Sequence, residues 1–308
     1  MFKKFALLTA LVLALAPVSS ALAIIYFNGD ADTDSWADGD NWNVDRVPNS
    51  ADTAAMRGLY GSTSDICNVD TTDCVASSAL VGYGETSTYN STLNILDGGT
   101  LTVYGGLQVS CNAQAVLGGN VSTVNVYDGG KITCDGSAYI NLTHPNGTQG
   151  TSENRCHGTL NMYGGLIDIS QDFRVSRNSQ IGNHRGDVYL MGGEIYAGSL
   201  LMQLNSFEDP EEEDRWVANT TPDYMNITYG VMYIKGDREE QIQGYVDDGW
   251  IEAFGGAGVV MIQEDVSLTG HQAGDGDYTK VWGYIPEPGT MLLAGFGVLV
   301  LLVSRRKR

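Results

Sequence analysis

A short motif that ends in two glycines recurs four times in the chain and limits what the chain can fold into. The four copies are Thr92–Gly99, Thr123–Gly130, Thr159–Gly165 and Asp187–Gly193, and their second glycines are 31, 35 and 28 residues apart. Self-similarity at a period of about 20–50 residues is typical of solenoids, in which each repeat buries its apolar side against its neighbours. The sequence therefore predicts a stack of similar coils.

Two further short β-like segments follow each copy, which gives three strands per repeat. The second segments are Thr100–Val103, Lys131–Cys134, Leu166–Ile169 and Glu194–Ala197. The third segments contain Leu107–Val109, Ala138–Ile140, Phe173–Val175 and Leu201–Gln203. The 39 glycines and seven prolines also favour a turn-rich β protein over long helices. We therefore expect an all-β fold, a right-handed parallel β-helix with three strands per coil.

Period-two alternation along these strands predicts the side chains that fill the interior. They are Leu93, Val124, Leu160 and Val188; Ile95, Val126, Met162 and Leu190; and Leu101, Ile132, Ile167 and Ile195. Cys134 aligns with Val103 and Ile169, so we expect it to be a buried free thiol. The glycine pairs are expected to supply the left-handed φ of tight corners rather than to bind a ligand.

Residues 286–308 form a second distinctive segment. Pro286, Glu287 and Pro288 precede an apolar run, Met291–Val303, which a basic cluster follows: Arg305, Arg306, Lys307 and Arg308. As a helix the run would be about 20 Å long, short of the ~30 Å hydrocarbon core of a bilayer. The basic cluster would stay on the cytoplasmic side, which places the preceding chain outside.

This order of elements resembles the PEP-CTERM sorting signal of bacterial envelope proteins. The resemblance implies recognition by an exosortase, an integral-membrane cysteine transpeptidase or protease that cuts near the Pro-Glu-Pro motif. It further implies transient or stable inner-membrane anchoring by the C-terminal hydrophobic helix, and then a place at the cell surface or in the extracellular matrix. An ordinary single-span anchor is the alternative.

The N-terminal residues have the features of a secretory signal peptide with a helical apolar core. Lys3 and Lys4 precede the apolar stretch Phe5–Ala16, and Ala21 and Ala23 form a small-x-small cleavage site. We therefore expect export through the secretion translocon. The predicted organisation is a signal peptide at 1–23, a capping segment and first coil at 24–75, a β-solenoid ectodomain at 76–285 and the sorting tail at 286–308.

Two further segments resemble parts of exported β-solenoids of the autotransporter-repeat type. Trp36–Trp42, followed by Val47-Pro48 and 51–54, resembles their entry segment, and Gln243–Ile251 resembles their terminal coil. We expect Trp36 and Trp42 to close the open end of the helix, with a carbohydrate-stacking platform as the alternative.

The formal net charge of −20 restricts the partners. Such a chain repels nucleic acid and anionic membrane surfaces, and it favours cations or neutral glycans.

Five cysteines in an exported protein permit disulfides but leave one thiol over. Cys67 and Cys74 are close enough in sequence to bridge across a corner. Cys111 and Cys156 follow the third strands of successive coils and are the second candidate pair.

The sequence offers few candidates for a cofactor. The four histidines have no metal-ligand spacing, and no zinc, nucleotide or flavin motif is present. Asp30, Asp32 and Asp34 place carboxylates at alternate positions, as in a calcium loop. Ser35 and Asn41 stand where an EF-hand needs glycine and glutamate, so solvated turn carboxylates are the alternative to a calcium site.

Two functional classes remain. We favour a non-catalytic exported surface or extracellular-matrix protein, associated with exopolysaccharide or used in adhesion. The alternative is a polysaccharide lyase or glycoside hydrolase on a β-helix scaffold. A glycosidase needs two carboxylates about 5–9.5 Å apart, and Asp168, Asp172 and Glu194 are the candidates.

Overall fold

A computed structural model of the chain describes residues 23–31, 33–56, 65–83, 90–112, 121–143, 157–175, 185–202 and 223–286. Its strands form three sheets that wind into one β-helix. Sheet A contains, in spatial order, β1 (Ala23–Phe27), β2 (Asp52–Met56), β5 (Ser78–Val81), β8 (Leu107–Asn112), β11 (Ala138–Thr143), β14 (Asp172–Arg174) and β17 (Ser199–Leu201). Sheet B contains β3 (Asp65–Val69), β6 (Asn90–Ile95), β9 (Val121–Val126), β12 (His157–Met162), β15 (Arg185–Leu190), β18 (Tyr224–Ile227) and β20 (Ile251–Ala253). Sheet C contains β4 (Cys74–Ala76), β7 (Thr100–Val103), β10 (Lys131–Cys134), β13 (Leu166–Ile169), β16 (Glu194–Ala197), β19 (Val231–Lys235), β22 (Gly276–Tyr284) and β21 (Val259–Leu268).

From β3 to β19 the chain passes repeatedly from sheet B to sheet C to sheet A. Each such passage is one coil, and each strand pairs in parallel with the equivalent strand of the next coil. The register joins Leu101, Ile132 and Ile167, as the repeat alignment predicts. The predicted parallel β-helix with three strands per coil is thereby confirmed. The predicted signal and tail helices lie outside the described residues.

The interior of the helix is filled by the predicted aliphatic rows. All twelve predicted side chains are at most 1% exposed. Cys134 is fully buried between Val103 and Ile169, and its thiol donates to the Gly105 carbonyl at 3.3 Å. Burial raises the pKa of Cys134, so this free thiol acts as a small apolar side chain.

One glycine of each predicted pair has the left-handed φ that the corner requires. In the first two repeats it is the first glycine, Gly98 (φ +75°) or Gly129 (φ +74°). In the next two it is the second, Gly165 (φ +69°) or Gly193 (φ +71°). These later repeats lack the aspartate before the glycines, so the same turn is made one residue closer to the second strand.

Aromatic side chains close the N-terminal end. Trp36 and Trp42 are fully buried, with ring centroids 4.9 Å apart, and the indole N–H of Trp42 donates to the Trp36 carbonyl at 2.9 Å. Phe27 packs edge-on against Trp42 at 5.3 Å. Rings with no exposed face cannot stack on a sugar, so these tryptophans form the cap and not a carbohydrate platform.

The C-terminal end is closed by a helix and a hairpin. The segment predicted to form the terminal coil, Gln243–Ile251, begins within the helix α1 (Glu239–Asp247) and reaches the first residue of β20. This helix stands where a strand of sheet A would follow β17, and the Gln241 side-chain amide donates to the Leu200 carbonyl at 2.8 Å. Ile242 from the helix is fully buried. The chain then adds β20 to sheet B and ends sheet C with an antiparallel hairpin, β21 and β22.

Two glycine substitutions should separate the cost of backbone conformation from that of steric conflict. At Gly98 an added methyl group meets nothing within 4 Å, whereas at Gly165 it lies 2.3 Å from the Gly130 carbonyl oxygen and 2.5 Å from that of Tyr127. Gly98→Ala should therefore lose only about 1–2 kcal/mol for the left-handed φ, and Gly165→Ala clearly more. Urea unfolding of residues 24–285 followed by circular dichroism measures both; equal losses would contradict this account.

Candidate binding face and sorting motif

The outer face of sheet B carries regular rows of uncharged polar side chains. Between the buried residues of β6, β9 and β12, outward positions are occupied by Thr92, Thr123 and Thr159 and by Asn94, Asn125 and Asn161. The register stacks each threonine on the next and each asparagine on the next. Each row therefore runs along the helix axis with one residue per coil, and successive residues of a row are about 4.8 Å apart.

Hydrogen bonds between side chains join the asparagines into a ladder. The amide of Asn94 donates to the Asn68 side-chain oxygen at 2.8 Å, Asn125 donates to Asn94 at 2.8 Å, and Asn161 donates to Asn125 at 2.9 Å. Each of these three amides donates one of its two N–H groups to the ladder, which leaves the second for a ligand or water. The ladder thus holds every amide in one orientation.

A third outward row lies beside the asparagines, at Leu96, Tyr127 and Tyr163. The backbone N–H groups of Tyr127 and Tyr163 donate to the carbonyls of Ile95 and Val126, at 3.0 and 2.8 Å, which continues the pairing between coils. The two rings are stacked at 5.1 Å and are 36% and 48% exposed. Thr123, Asn125 and Tyr127 thus give one coil a hydroxyl, an amide and an aromatic group on the same face. We call these three rows, across β6, β9 and β12, the Thr/Asn face.

At β15 the outer face of sheet B becomes charged. Asp187 continues the threonine row, accepts from Arg185 Nε at 2.5 Å and lies 2.7 Å from His157 Nε2. Arg185 lies over the ring of Tyr224, 5.7 Å from its centroid, and the Tyr224 hydroxyl donates to Glu252 at 3.1 Å. Burial and the bond to Glu252 raise the pKa of Tyr224 to about 12.

This charged cluster was not predicted from the sequence. Its signal lies in the repeat alignment, because Asp187 replaces the threonine that begins the other motifs. His157 and Arg185 both stand two residues before that position and are paired in register.

The predicted carboxylates for a glycosidase are each engaged by neighbouring groups. Asp168 and Glu194 lie on the neighbouring strands β13 and β16 of sheet C, and Asp172 lies on sheet A. Asp168 is 5% exposed because the loop after β21 covers it: the Gln272 N–H donates to it at 3.0 Å, and His271 Nδ1 lies 3.5 Å away. Glu194 accepts from the Tyr196 hydroxyl at 2.7 Å.

Asp172 is likewise engaged by its neighbours. It accepts from Arg174 and from Ser199, each at 2.6 Å. Burial acts to raise the pKa of Asp172, but these two bonds and the charge of Arg174 outweigh it and lower the pKa below its usual value.

The predicted calcium loop is described in part. Asp30 accepts from the Asn28 amide at 2.6 Å, whereas Asp32 lies outside the described residues. Asn41 is fully buried and donates to the carbonyls of Thr33, at 2.6 Å, and Ser35, at 3.0 Å, so its amide organises the loop. No group of three acidic, histidine or cysteine side chains suited to a metal occurs among the described residues. A calcium site that includes Asp32 stays a prediction.

Cys67 and Cys74 are both free, buried thiols and do not form the proposed bridge. They pair in register with Leu93 and Leu101, so both occupy interior positions of the first coil. Burial raises the pKa of each thiol, most strongly at Cys67. Cys156 and the side chain of Cys111 lie outside the described residues, so the second candidate bridge stays a prediction.

The sorting segment follows the last strand directly. β22 ends at Tyr284, and Pro286 is the last described residue; Glu287, Pro288 and the basic cluster lie outside the described part, as does Ala21 at the other end. Within the described ranges, no helix combines the length and the apolar character needed to cross a membrane.

Residues 285–308 match the family model of the PEP-CTERM protein-sorting motif. The fold and this match together define an exported β-solenoid protein. Its sorting motif indicates processing by an exosortase, a membrane enzyme, with membrane anchoring before surface display. No curated protein and no solved structure matches the chain.

A double-mutant cycle tests the asparagine ladder. Asn94→Ser and Asn125→Ser should destabilise non-additively, because either change removes their shared hydrogen bond, with a coupling of about 0.5–1.5 kcal/mol. The same cycle on Asn68 and Asn161, which do not touch, should be additive within about 0.5 kcal/mol. Denaturant unfolding measures all variants, and a zero coupling for the first pair would exclude a stabilising ladder.

Proposed function

We propose that the protein is a non-catalytic surface or extracellular-matrix protein of a bacterium that associates with exopolysaccharide. The observation that carries this proposal is that a continuous, capped β-helix leads straight into a PEP-CTERM motif. A signal peptide at 1–23, cleaved after Ala23, would deliver it through the secretion translocon. The exosortase would then act on the segment that begins at Pro286.

Both ends of the β-helix support a role as a discrete scaffold. Exposed sheet edges invite pairing with other chains, and solenoids need terminal caps for that reason. Here Trp36 and Trp42 close one end, and α1 with the β21–β22 hairpin covers the other. The capped coils present long, regular outer faces, which suit adhesion to an extended polymer better than enclosure of a small molecule.

The strongly acidic composition supports a glycan as the partner. With a formal net charge of −20, the chain is repelled by polyanions such as nucleic acid. The Thr/Asn face carries no formal charge and is rich in hydrogen-bonding groups. Such a surface suits hydroxyl-rich polymers.

Replacement of Pro286, Glu287 and Pro288 by alanine tests the sorting step. In a bacterium that encodes an exosortase, the variant should accumulate as an unprocessed membrane precursor, because the motif is what the enzyme recognises. Cell fractionation with mass spectrometry of the C-terminal peptide measures this. Deletion of the exosortase gene should give the same precursor from the unaltered chain. A variant with the normal mass in the matrix fraction would refute the proposal.

One observation favours the enzymatic alternative, a polysaccharide lyase acting on uronic acids. A lyase needs a base to remove the proton next to the uronate carboxyl group and a cation beside that carboxylate. His157, held by Asp187, and Arg185 are arranged for these two roles. Under this alternative His157→Gln should lower turnover about 10²–10⁴-fold while the fold is kept. If the unaltered protein forms no unsaturated product from uronate polymers, the lyase alternative is excluded and the non-catalytic function is retained.

A further inference from the structure

We propose that the Thr/Asn face binds a neutral polysaccharide with an extended, β-linked backbone, which lies along the helix axis. The proposal rests on the function above for the kind of partner. It adds the site, the direction of the chain and the class of glycan.

The Thr/Asn face repeats with the spacing of the coils. Equivalent side chains recur once per coil, about 4.8 Å apart along a straight row. The step is close to the length of one pyranose unit in an extended β-linked chain, so successive sugars can meet successive coils with little drift. An α-linked chain that coils would leave the row after a few units.

The Thr/Asn face presents hydroxyl, amide and aromatic groups in a fixed order. Each of the two coils through β9 and β12 offers a threonine hydroxyl, an asparagine amide and a tyrosine ring in the same order: Thr123, Asn125 and Tyr127 in one, Thr159, Asn161 and Tyr163 in the other. Hydroxyl and amide groups can both donate to and accept from sugar hydroxyls. The tyrosine rings are stacked on each other, so they offer their edges and hydroxyl groups to a sugar rather than the faces they share. The coil through β6 has Leu96 in place of the tyrosine.

The charge of the protein favours a neutral glycan. The Thr/Asn face has no formal charge in a chain of net charge −20, so a carboxylated glycan would approach an acidic protein with no cation on the rows to receive it. The basic side chains nearest to the face, His157 and Arg185, both contact Asp187. A neutral glycan avoids this repulsion.

The asparagine amides of the face are preorganised for binding. The ladder from Asn68 to Asn161 fixes the amides before any ligand arrives. Less side-chain entropy is then lost on binding. Because the contacts repeat, affinity should rise with oligosaccharide length until the rows are covered.

A pair of substitutions in one coil tests the face. Thr123 and Thr133 are both outward, half-buried threonines, on β9 of sheet B and β10 of sheet C. Thr123→Glu places a carboxylate in the middle of the proposed site, and Thr133→Glu adds the same charge elsewhere. The probe is mixed-linkage β-glucan, with amylose as the α-linked control and polygalacturonate as the charged control. Isothermal titration on residues 24–285 measures affinity, and circular dichroism checks folding.

We expect the unaltered ectodomain to bind mixed-linkage β-glucan and neither control polymer. Thr123→Glu should weaken binding at least tenfold, and Thr133→Glu should leave it within about twofold. Thr159→Glu against Thr102→Glu provides a second pair should the first alter folding.

The outcomes separate this proposal from the function on which it rests. Equal binding by Thr123→Glu and Thr133→Glu would overturn the assignment of the face. Preference for amylose or polygalacturonate would overturn the class of glycan. In both cases saturable binding of exopolysaccharide from the producing bacterium would leave the proposed function standing, whereas failure to bind that polymer as well would refute the function itself.

Discussion

Each coil of the β-helix buries its apolar side chains only because the next coil covers them. Leu101, Ile132 and Ile167 are equivalent residues of successive coils, and Ile132 is buried between the other two. The backbone hydrogen bonds between strands also require a neighbouring coil. Every strand of the stack pairs with strands of neighbouring coils and not with those of its own coil. Stability is therefore shared along the stack, and the two ends need special structures to stop it.

This dependence explains which features could be predicted from the sequence. Interior positions repeat with period two and align from coil to coil, so Val124, Met162 and even the unusual Cys134 could be placed from the motif alone. The corners could be predicted equally well, because only glycine adopts a left-handed φ at little energetic cost. Both signals are local and are repeated several times.

Features that arise from single, long-range contacts could not be predicted in this way. Asp168 looked like an accessible carboxylate, yet a loop more than a hundred residues later covers it through the Gln272 N–H. Helix α1 takes the place of a strand at the edge of sheet A, where the Gln241 side-chain amide donates to the Leu200 carbonyl. The repeated motif does not predict this contact. His157 and Asp187 lie on neighbouring coils and contact each other, so the pair can be predicted only once the register is known. The outer face, where function is proposed, is the part that the packing of the interior leaves free to vary.

The hairpin at the end of sheet C has a mechanical consequence for the protein during sorting. Because β22 runs antiparallel to β19, with Trp282 opposite Val231, the chain leaves the last coil at its B-to-C corner and at once reaches Pro286. While the tail is held at the membrane, the last coil is the base and the tryptophan cap is the tip. At about 4.8 Å per coil the stack is roughly 30 Å tall, and a polymer lying on the Thr/Asn face would run lengthwise over the three coils of β6, β9 and β12.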